Sequence, residues 1–295
     1  MGEHSSASWE GGEMLSPEMI LKDMSLPAMP HVAARILQMV NNPNVRVEEI
    51  QDIMISDQAI TSKILMIANS AYYGLRRAVD TLSDAIFVLG FEAVKKIAIA
   101  VSTREIYNLH GITEQKLWEH AMGVSIAAGL VASRQKAYKI SIEECVVAGL
   151  LHDIGKAVMN QSQPERYALV IETVYDDRRP FYKVEEEFFG FTHQEVGQLL
   201  FKEWKLPEEL ALVTGNHHRR HEIDKMPDVR ALCTVIEFAN MLCARLGVGY
   251  RGPMPEVAGD EDEVMSVLGL EIDDMEELTA EFKERYISEK LSFID

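Results

Sequence analysis

The chain has 295 residues, of which 47% are hydrophobic and 26% are charged, and its formal net charge at pH 7 is −18. This composition excludes a wholly disordered chain and allows one large folded domain or two modest ones. A chain this acidic lacks the basic surface of a nucleic-acid-binding protein, so we expect no direct nucleic-acid partner.

The cysteines and the absence of long apolar runs indicate the cellular compartment of the protein. Cys145, Cys233 and Cys243 include no C-x-x-C pair, which argues against a disulfide framework or a zinc ribbon and fits a reducing environment. No apolar run reaches the roughly 18 residues of a membrane span, and the N-terminus lacks the apolar core of a signal peptide. We therefore expect a cytoplasmic protein without a membrane partner.

The predicted elements are almost all helices. Residues 1–15 resemble a flexible leader, Pro30 can begin the first helix, and Asn-Asn-Pro-Asn at 41–44 ends it. Because no segment shows sustained period-two alternation, the predicted fold is all-α. The predicted helices cover 31–41, 47–55, 57–69, 82–89, 91–107, 114–136, 141–159, 164–177, 192–204, 207–218 and 227–246.

The segment at 56–74 has polar residues beside an apolar helix. Asp57 is suited to cap the start of that helix, and Asn69 with Ser70 is suited to end it. Packing against the second half of the chain is one interpretation of this segment, and a ligand groove between two lobes, with Tyr72 and Tyr73, is the other.

The C-terminal segment from Gly252 to Asp295 contains 14 acidic and three basic residues. Met275, Leu278 and Phe282 give it one apolar stripe, which predicts a terminal helix over about 274–290. The helix could dock on its own chain or on a partner. The acidic segment is either a solvated appendage or a specific docking element.

Histidine is concentrated in the middle of the chain, where six of the nine histidines lie between residues 120 and 221. Single histidines are usually ordinary core residues, but imidazoles from several helices, together with Asp153, form the ligand type that Zn, Fe, Mn and Ni accept. Neighbours on a helix point about 100° apart, so His217 and His218 can share one site only at a helix end. His221 is expected beyond that end and exposed.

The motifs around these histidines resemble the HD superfamily of metal-dependent phosphohydrolases. They are His120 in LWEHAMG, His152 and Asp153 in LLHDIGK, His193 in FTHQEVG, and His217 and His218 in TGNHHRR. The segments 26–74, 82–99 and 188–218 resemble more closely the HDOD subfamily, the HD-related output domain, and the resemblance covers about residues 20–247.

The resemblance implies a two-lobed helical bundle. Its N-terminal lobe would cover 16–110, its HD-like metal-binding lobe 111–250, and an acidic helical extension 251–295. It also implies that His120 and His152 hold one divalent ion, that His193, His217 and His218 hold another, and that Asp153 bridges them. The late aspartate of the superfamily matches Asn240, a weaker ligand, and Glu237 one turn earlier is an alternative.

The resemblance further implies bacterial signalling, and three functions follow from it. The first is a signalling module that keeps a metal, Fe, Mn, Ni or Zn, and acts by regulatory binding to a protein partner. The second is a metal-dependent phosphohydrolase acting on a nucleotide or phosphoester. In it Asp153 would be catalytic and Lys156 would contact the phosphate; alternatively, Lys156 pairs with an acid or reaches solvent. The third is a protein-interaction domain with vestigial histidines.

Overall fold

The computed structural model describes residues 27–40, 46–69, 75, 77–223, 225–254 and 261–294. The predicted leader at 1–15, the helix stop at 41–44 and the pair Tyr72 and Tyr73 lie outside the described residues. Within the described ranges the regular elements are all helices and no strand is present, which confirms the predicted all-α fold.

The first seven helices lead from the N-terminal half into the long helix that carries His120. They are α1 (His31–Val40), α2 (Val47–Ser56), α3 (Gln58–Ala68), α4 (Leu82–Leu89), α5 (Phe91–Ser102), α6 (Arg104–Tyr107) and α7 (Ile112–Arg134). The side chain of Asp57 accepts a hydrogen bond from the Ile60 amide at 3.0 Å, and Asn69 follows the last turn of α3. Both predicted caps are therefore confirmed.

The remaining helices form the half that contains the other histidines and the C-terminal segment. They are α8 (Ile142–Leu151), α9 (Ile154–Ser162), α10 (Pro164–Asp177), α11 (Phe181–Phe189), α12 (His193–Glu203), α13 (Glu208–Asn216), α14 (Pro227–Leu246), α15 (Glu261–Leu268) and α16 (Ile272–Ile294). A short 3₁₀ turn at Arg220–Ile223 separates α13 from α14.

Three predicted helices, 82–89, 164–177 and 227–246, have the bounds that the sequence indicated. Two were predicted as continuous and are divided: 91–107 breaks at Thr103, and 141–159 breaks at His152 and Asp153. The helix α11 was not predicted, although Phe181, Val184 and Phe188 have helical spacing and Pro180 precedes its first residue.

Helix α7 is the central element of the second half. Its residues from 117 to 132 are buried continuously, because α8, α14 and α16 pack around it. Helices α1 to α5 pack on one another, and α5 contacts α8. The buried apolar residues form one continuous core through both halves, so the boundary near residue 110 stays a prediction.

The C-terminal helix α16 docks on its own chain. Arg134 on α7 donates to Glu277 at 3.0 Å and to Glu281 at 2.6 Å, while Leu278 and Phe282 are fully buried. The apolar stripe of the terminal helix therefore packs on the protein's own chain, which is one of the two possibilities that the sequence left open. None of the described helices combines the length and apolar character needed to cross a bilayer.

Candidate metal centre

The His152–Asp153 pair lies in a turn between two helices. Helix α8 ends at Leu151 and α9 begins at Ile154, with Asp153 at φ −104° and ψ 12°. A continuous helix would direct these two neighbouring side chains about 100° apart. The prediction of one helix over 141–159 is therefore wrong. The break between α8 and α9 lets both side chains enter the same site.

A glycine contact brings the next ligand helix against this turn. A Cβ atom at Gly155 would lie 1.9 Å from the backbone oxygen of His193, so no larger residue fits without moving α9 away from α12. Gly197 on α12 lies at the same crossing. The close approach of the two helices places His193 beside Asp153.

A turn after α14 holds His120 from the opposite side. Gly249 has a φ of +75°, and a Cβ atom there would lie 2.3 Å from Cβ of His120. Glycine is therefore required both for the left-handed backbone and for the contact. The preceding residue, Val248, supplies the carbonyl oxygen that lies 3.1 Å from Nδ1 of His120.

His217 and His218 lie at the end of a helix, as the sequence predicted for a shared site. Helix α13 ends at Asn216 and His217 is its C-cap, and the two ring centroids are 4.2 Å apart. The His218 ring is 5.5 Å from that of His193 and 5.0 Å from that of Tyr182. His221 is exposed, with 61% of its side chain accessible.

Asp153 occupies the middle of the cluster and faces imidazoles on both sides. Its Oδ2 lies 3.2 Å from Nε2 of His152 and 3.5 Å from Nε2 of His120. Its Oδ1 lies 3.2 Å from Nε2 of His193 and 3.6 Å from Nε2 of His217. The carboxylate thus connects two sets of histidines, one at each oxygen.

Three of the imidazoles are oriented by backbone carbonyls on their outer nitrogen. Nδ1 of His152 donates to the Gly149 carbonyl at 2.7 Å, and Nδ1 of His217 donates to the Thr214 carbonyl at 2.8 Å. A carbonyl oxygen only accepts, so Nδ1 carries the proton and Nε2 keeps a lone pair toward the centre. The same holds for His120 with Val248.

The inward-facing acceptor atoms lack donors. Nε2 of His120, Nε2 of His152 and Oδ1 of Asp153 are buried without a hydrogen-bond partner. Nε2 of His193 and Nε2 of His217 face each other at 3.3 Å. Buried lone pairs and a carboxylate that converge on one point are unfavourable when no cation lies between them. They are the electron-pair donors that a cation site requires.

These donors form two compact groups, each with its ligand atoms within 4.8 Å of one another. The first is His120, His152 and Asp153, and the second is His193, His217 and His218. Imidazole with a carboxylate is the ligand chemistry that divalent transition metals accept. The residues present therefore fit the metal type that the sequence suggested.

Burial keeps several of these imidazoles neutral at neutral pH. It lowers the pKa of His120 to about 3 and that of His217 to about 4, and it holds the pKa of His218 well below its usual value. For Asp153, burial acts in the opposite direction, but His152 and Lys156 hold its pKa well below the usual range. Neutral imidazole and ionised carboxylate are the protonation states that bind metal.

Glu185, on the unpredicted helix α11, is a functional residue that the sequence analysis missed. It is fully buried, and its Oε2 accepts from Nδ1 of His193 at 2.5 Å and from the His193 backbone amide at 2.9 Å. Its Oε1 accepts from the hydroxyl of Tyr167 at 2.9 Å. Despite burial, which opposes the shift, Glu185 raises the pKa of His193. The one sequence signal was an acidic residue on the apolar side of a helical pattern.

Lys156 pairs with an acid, as one of its two sequence interpretations required. Its Nζ donates to Oδ2 of Asp153 at 2.7 Å and lies 4.4 Å from the ring centroid of Phe181. The side chain is buried. This ion pair places the cation beside the first ligand group, so the structure supports the pairing and leaves a phosphate contact as a prediction.

Asn240, the weaker predicted ligand, stays a prediction. Its amide oxygen is buried without a hydrogen-bond partner, while the ring next to His120 on this side is that of Tyr250, at 5.1 Å between centroids. The alternative residue, Glu237, forms an ion pair with Arg220 instead. Neither residue supplies a described contact to the centre.

The comparisons with known proteins agree with the helical architecture. The chain resembles an HDOD domain protein of unknown function from Geobacter sulfurreducens, with a TM-score of 0.69 and 25% identity, over 94% of this chain and 96% of that one. A candidate metal-dependent phosphohydrolase from Shewanella amazonensis gives a TM-score of 0.68 at 18% identity, over 94% and 95% of the two chains.

A curated relative is longer than this chain. An uncharacterized protein of Treponema pallidum is 23% identical over 216 residues, which are 73% of this chain and 42% of that protein. The chain thus spans about two fifths of the relative's length. The model of the HDOD domain matches residues 26–220, well over half of the sequence, and the chain therefore belongs to the HDOD domain family.

Proposed function

We propose that this chain is a bacterial, cytoplasmic signalling domain that holds divalent metal at the histidine–aspartate centre and acts by regulatory binding of a phosphoester ligand and a protein partner. One observation carries the proposal. Nε2 of His120, Nε2 of His152 and Oδ1 of Asp153 are buried acceptors without donors, and a bound cation would stabilise all three.

The two groups around Asp153 indicate how metal would be held. His120, His152 and Asp153 would bind one ion, and His193, His217 and His218 the other. Fe, Mn, Ni and Zn all accept imidazole and carboxylate ligands. When bound, such ions polarise a phosphoryl oxygen and lower the pKa of bound water. The chain itself contributes the outer hydrogen bonds that fix each ring and the Lys156 cation beside Asp153.

Phosphoester hydrolysis at the same centre is the second candidate function. It is favoured by a cavity of about 290 Å³ whose lining includes His120 and Lys156, so a ligand could reach the first group from outside. A similar fold in the candidate phosphohydrolase from Shewanella amazonensis is consistent with it. Regulatory binding is placed first because Asn240 carries a neutral amide at the position of the superfamily's late aspartate and would be a weaker ligand.

Metal analysis of the purified full chain tests the proposal. We expect about two ions per chain after reconstitution with Mn, Fe, Ni or Zn, as the two donor groups imply. His152→Ala should lower the content, while His221→Ala, an exposed histidine outside the cluster, should not. A reconstituted wild-type protein that holds no metal would contradict the proposal.

Turnover separates the two candidate functions. Metal-loaded protein is assayed on a panel of phosphomonoesters and phosphodiesters, with Asp153→Ala as the control. Regulatory binding predicts saturable ligand binding without product formation. Product formation that disappears in Asp153→Ala would favour hydrolysis, whereas turnover that survives this substitution would come from a contaminant.

A further inference from the structure

The cavity beside the first ligand group has a lining unlike the chain as a whole. Three of its side chains are cationic, Lys116, Lys156 and Arg251, and none of the described residues that line it is acidic. The full sequence has 47 acidic and 29 basic residues. Cations concentrated at one cavity of an acidic protein favour an anionic ligand there.

A second, larger cavity provides a contrast. It measures about 540 Å³, and its lining carries charges of both signs. Its charged lining residues are Lys96, Lys139, Glu144, Glu209 and Asp228. In this cavity Lys96 is paired with Glu144 at 2.8 Å, and both residues line it. Lys116 and Lys156 are also paired, with Glu119 and Asp153, but neither acid lines the cationic cavity, so its charged lining side chains are all positive.

The inner end of the cationic cavity is the centre itself. His120 and Lys156 line it, and both are buried and lie close to Oδ2 of Asp153, at 3.5 Å and 2.7 Å. A ligand anion entering this end would meet the Lys156 ammonium and the first ligand group together. Phosphate, with several acceptor oxygens, suits such a position.

The wall of the cavity is aromatic. Tyr175, Phe181 and Tyr250 pack edge to face, with ring centroids 6.2 to 6.5 Å apart. The Arg251 guanidinium lies 4.6 Å from the ring centroid of Tyr175. Rings and a planar guanidinium form a surface on which a flat ligand group can stack.

The rim is held by the C-terminal helix. Lys116 donates to Oε2 of Glu119 at 2.7 Å, and the hydroxyl of Tyr286 on α16 donates to the other oxygen of the same carboxylate. These bonds fix the position of one rim cation. With a volume of about 290 Å³, the cavity is at the small end of ligand sites.

We propose that this cavity takes a phosphate monoester of one planar ring system, about one nucleoside monophosphate in size. The phosphate would lie toward His120 and Lys156, and the ring between Tyr175, Tyr250 and Arg251. This inference rests on the proposed function, since it assigns the ligand of that metal centre. It also predicts weaker binding of ligands built from two nucleotides, which would extend beyond the cavity.

Calorimetric titration of the metal-loaded full chain tests the inference with four probes. These are adenosine 5′-monophosphate, adenosine, inorganic phosphate and cyclic diguanylate. We expect the monophosphate to bind at least about tenfold more tightly than adenosine or phosphate, because only it uses both ends of the cavity. Arg251→Ala should weaken it about tenfold, and Arg245→Ala, an exposed arginine paired with Glu261, should not.

The outcomes separate this inference from the metal proposal. Tight binding of the monophosphate, weakened by Arg251→Ala alone, supports it. Metal-loaded protein that does not bind the monophosphate, that binds cyclic diguanylate as tightly, or that responds equally to both arginine substitutions overturns the cavity assignment and leaves the metal centre intact. Protein that takes up no metal overturns the proposed function itself, and the metal analysis detects this before any titration.

Discussion

The two ligand groups on either side of Asp153 differ in what holds their imidazoles. His120 and His152 donate Nδ1 to backbone carbonyls, whereas His193 donates Nδ1 to the buried carboxylate of Glu185. His120 of the first group lines the cationic cavity, and none of the three histidines of the second group is among the described residues that line it, although His218 is partly exposed and the first group is buried throughout. A carboxylate partner makes imidazole a stronger metal ligand than a carbonyl partner does.

This contrast suggests that the two ligand groups have different roles. The second group, with Glu185 behind it, would hold its ion more tightly. The first group would hold its ion less tightly and leave it facing a ligand in the cavity. A centre that both holds metal and binds a ligand needs these two roles.

The largest expected effect is at the residue that the two groups share. Asp153→Ala removes the carboxylate oxygen that faces each group, so we expect metal content to fall from about two ions per chain to near zero. Elemental analysis measures this loss. Asp228→Ala, at an exposed aspartate on α14, is the matched control. Equal losses of metal in both variants would contradict the role of Asp153 as the residue that the two groups share.

Single histidine substitutions should separate the groups. We expect His120→Ala to lower metal content by about one ion, from the first group, and to leave the ion of the second group in place. His217→Ala should remove the ion of the second group instead. Competition with a chelator reports which ion is lost, since the more tightly held one resists longer. Loss of both ions in each variant would show a single undivided site.

Glu185→Gln tests the carboxylate behind His193 without changing its size. An amide oxygen can still accept from the ring and the backbone amide of His193, but it lacks the negative charge that raises the basicity of the imidazole, so we expect about 10- to 100-fold weaker metal binding at the second group. Tyr167→Phe should have a smaller effect in the same direction, because it removes one bond to Glu185. Unchanged affinity in Glu185→Gln would remove the basis for the asymmetry.

The smallest effect is expected at Asn240. Because a neutral amide oxygen is a weaker ligand than imidazole or carboxylate, Asn240→Ala should leave metal content nearly unchanged. The substitution also tests the sequence prediction that Asn240 occupies the position of a ligand. A drop of one ion per chain would confirm that prediction and add Asn240 to the donors of the centre.

Much of the fold follows from sequence periodicity. The bounds of 82–89, 164–177 and 227–246 were predictable because turn residues flank regular apolar spacing. The break at His152 and Asp153 was not, since Leu150, Leu151 and Ile154 continue the apolar spacing of a helix across it. Tertiary packing decided that local structure.

The same limit applies to the centre. The residue types and the helix end at His217 and His218 were predictable from the sequence. Glu185 was not, because an acidic residue in a helical pattern is usually solvated and nothing local indicates that it lies behind His193. Asn240 was assigned as a ligand from its position in the family motif. The turn at Val248 and Gly249, which contacts His120, was not predicted.

The most direct measurement is anomalous diffraction from crystals of the metal-loaded chain, recorded at the absorption edge of the bound metal. The account predicts two anomalous peaks, one between His120, His152 and Asp153 and one among His193, His217 and His218. Peaks away from Asp153, or no peak in protein crystallised with excess metal, would contradict it.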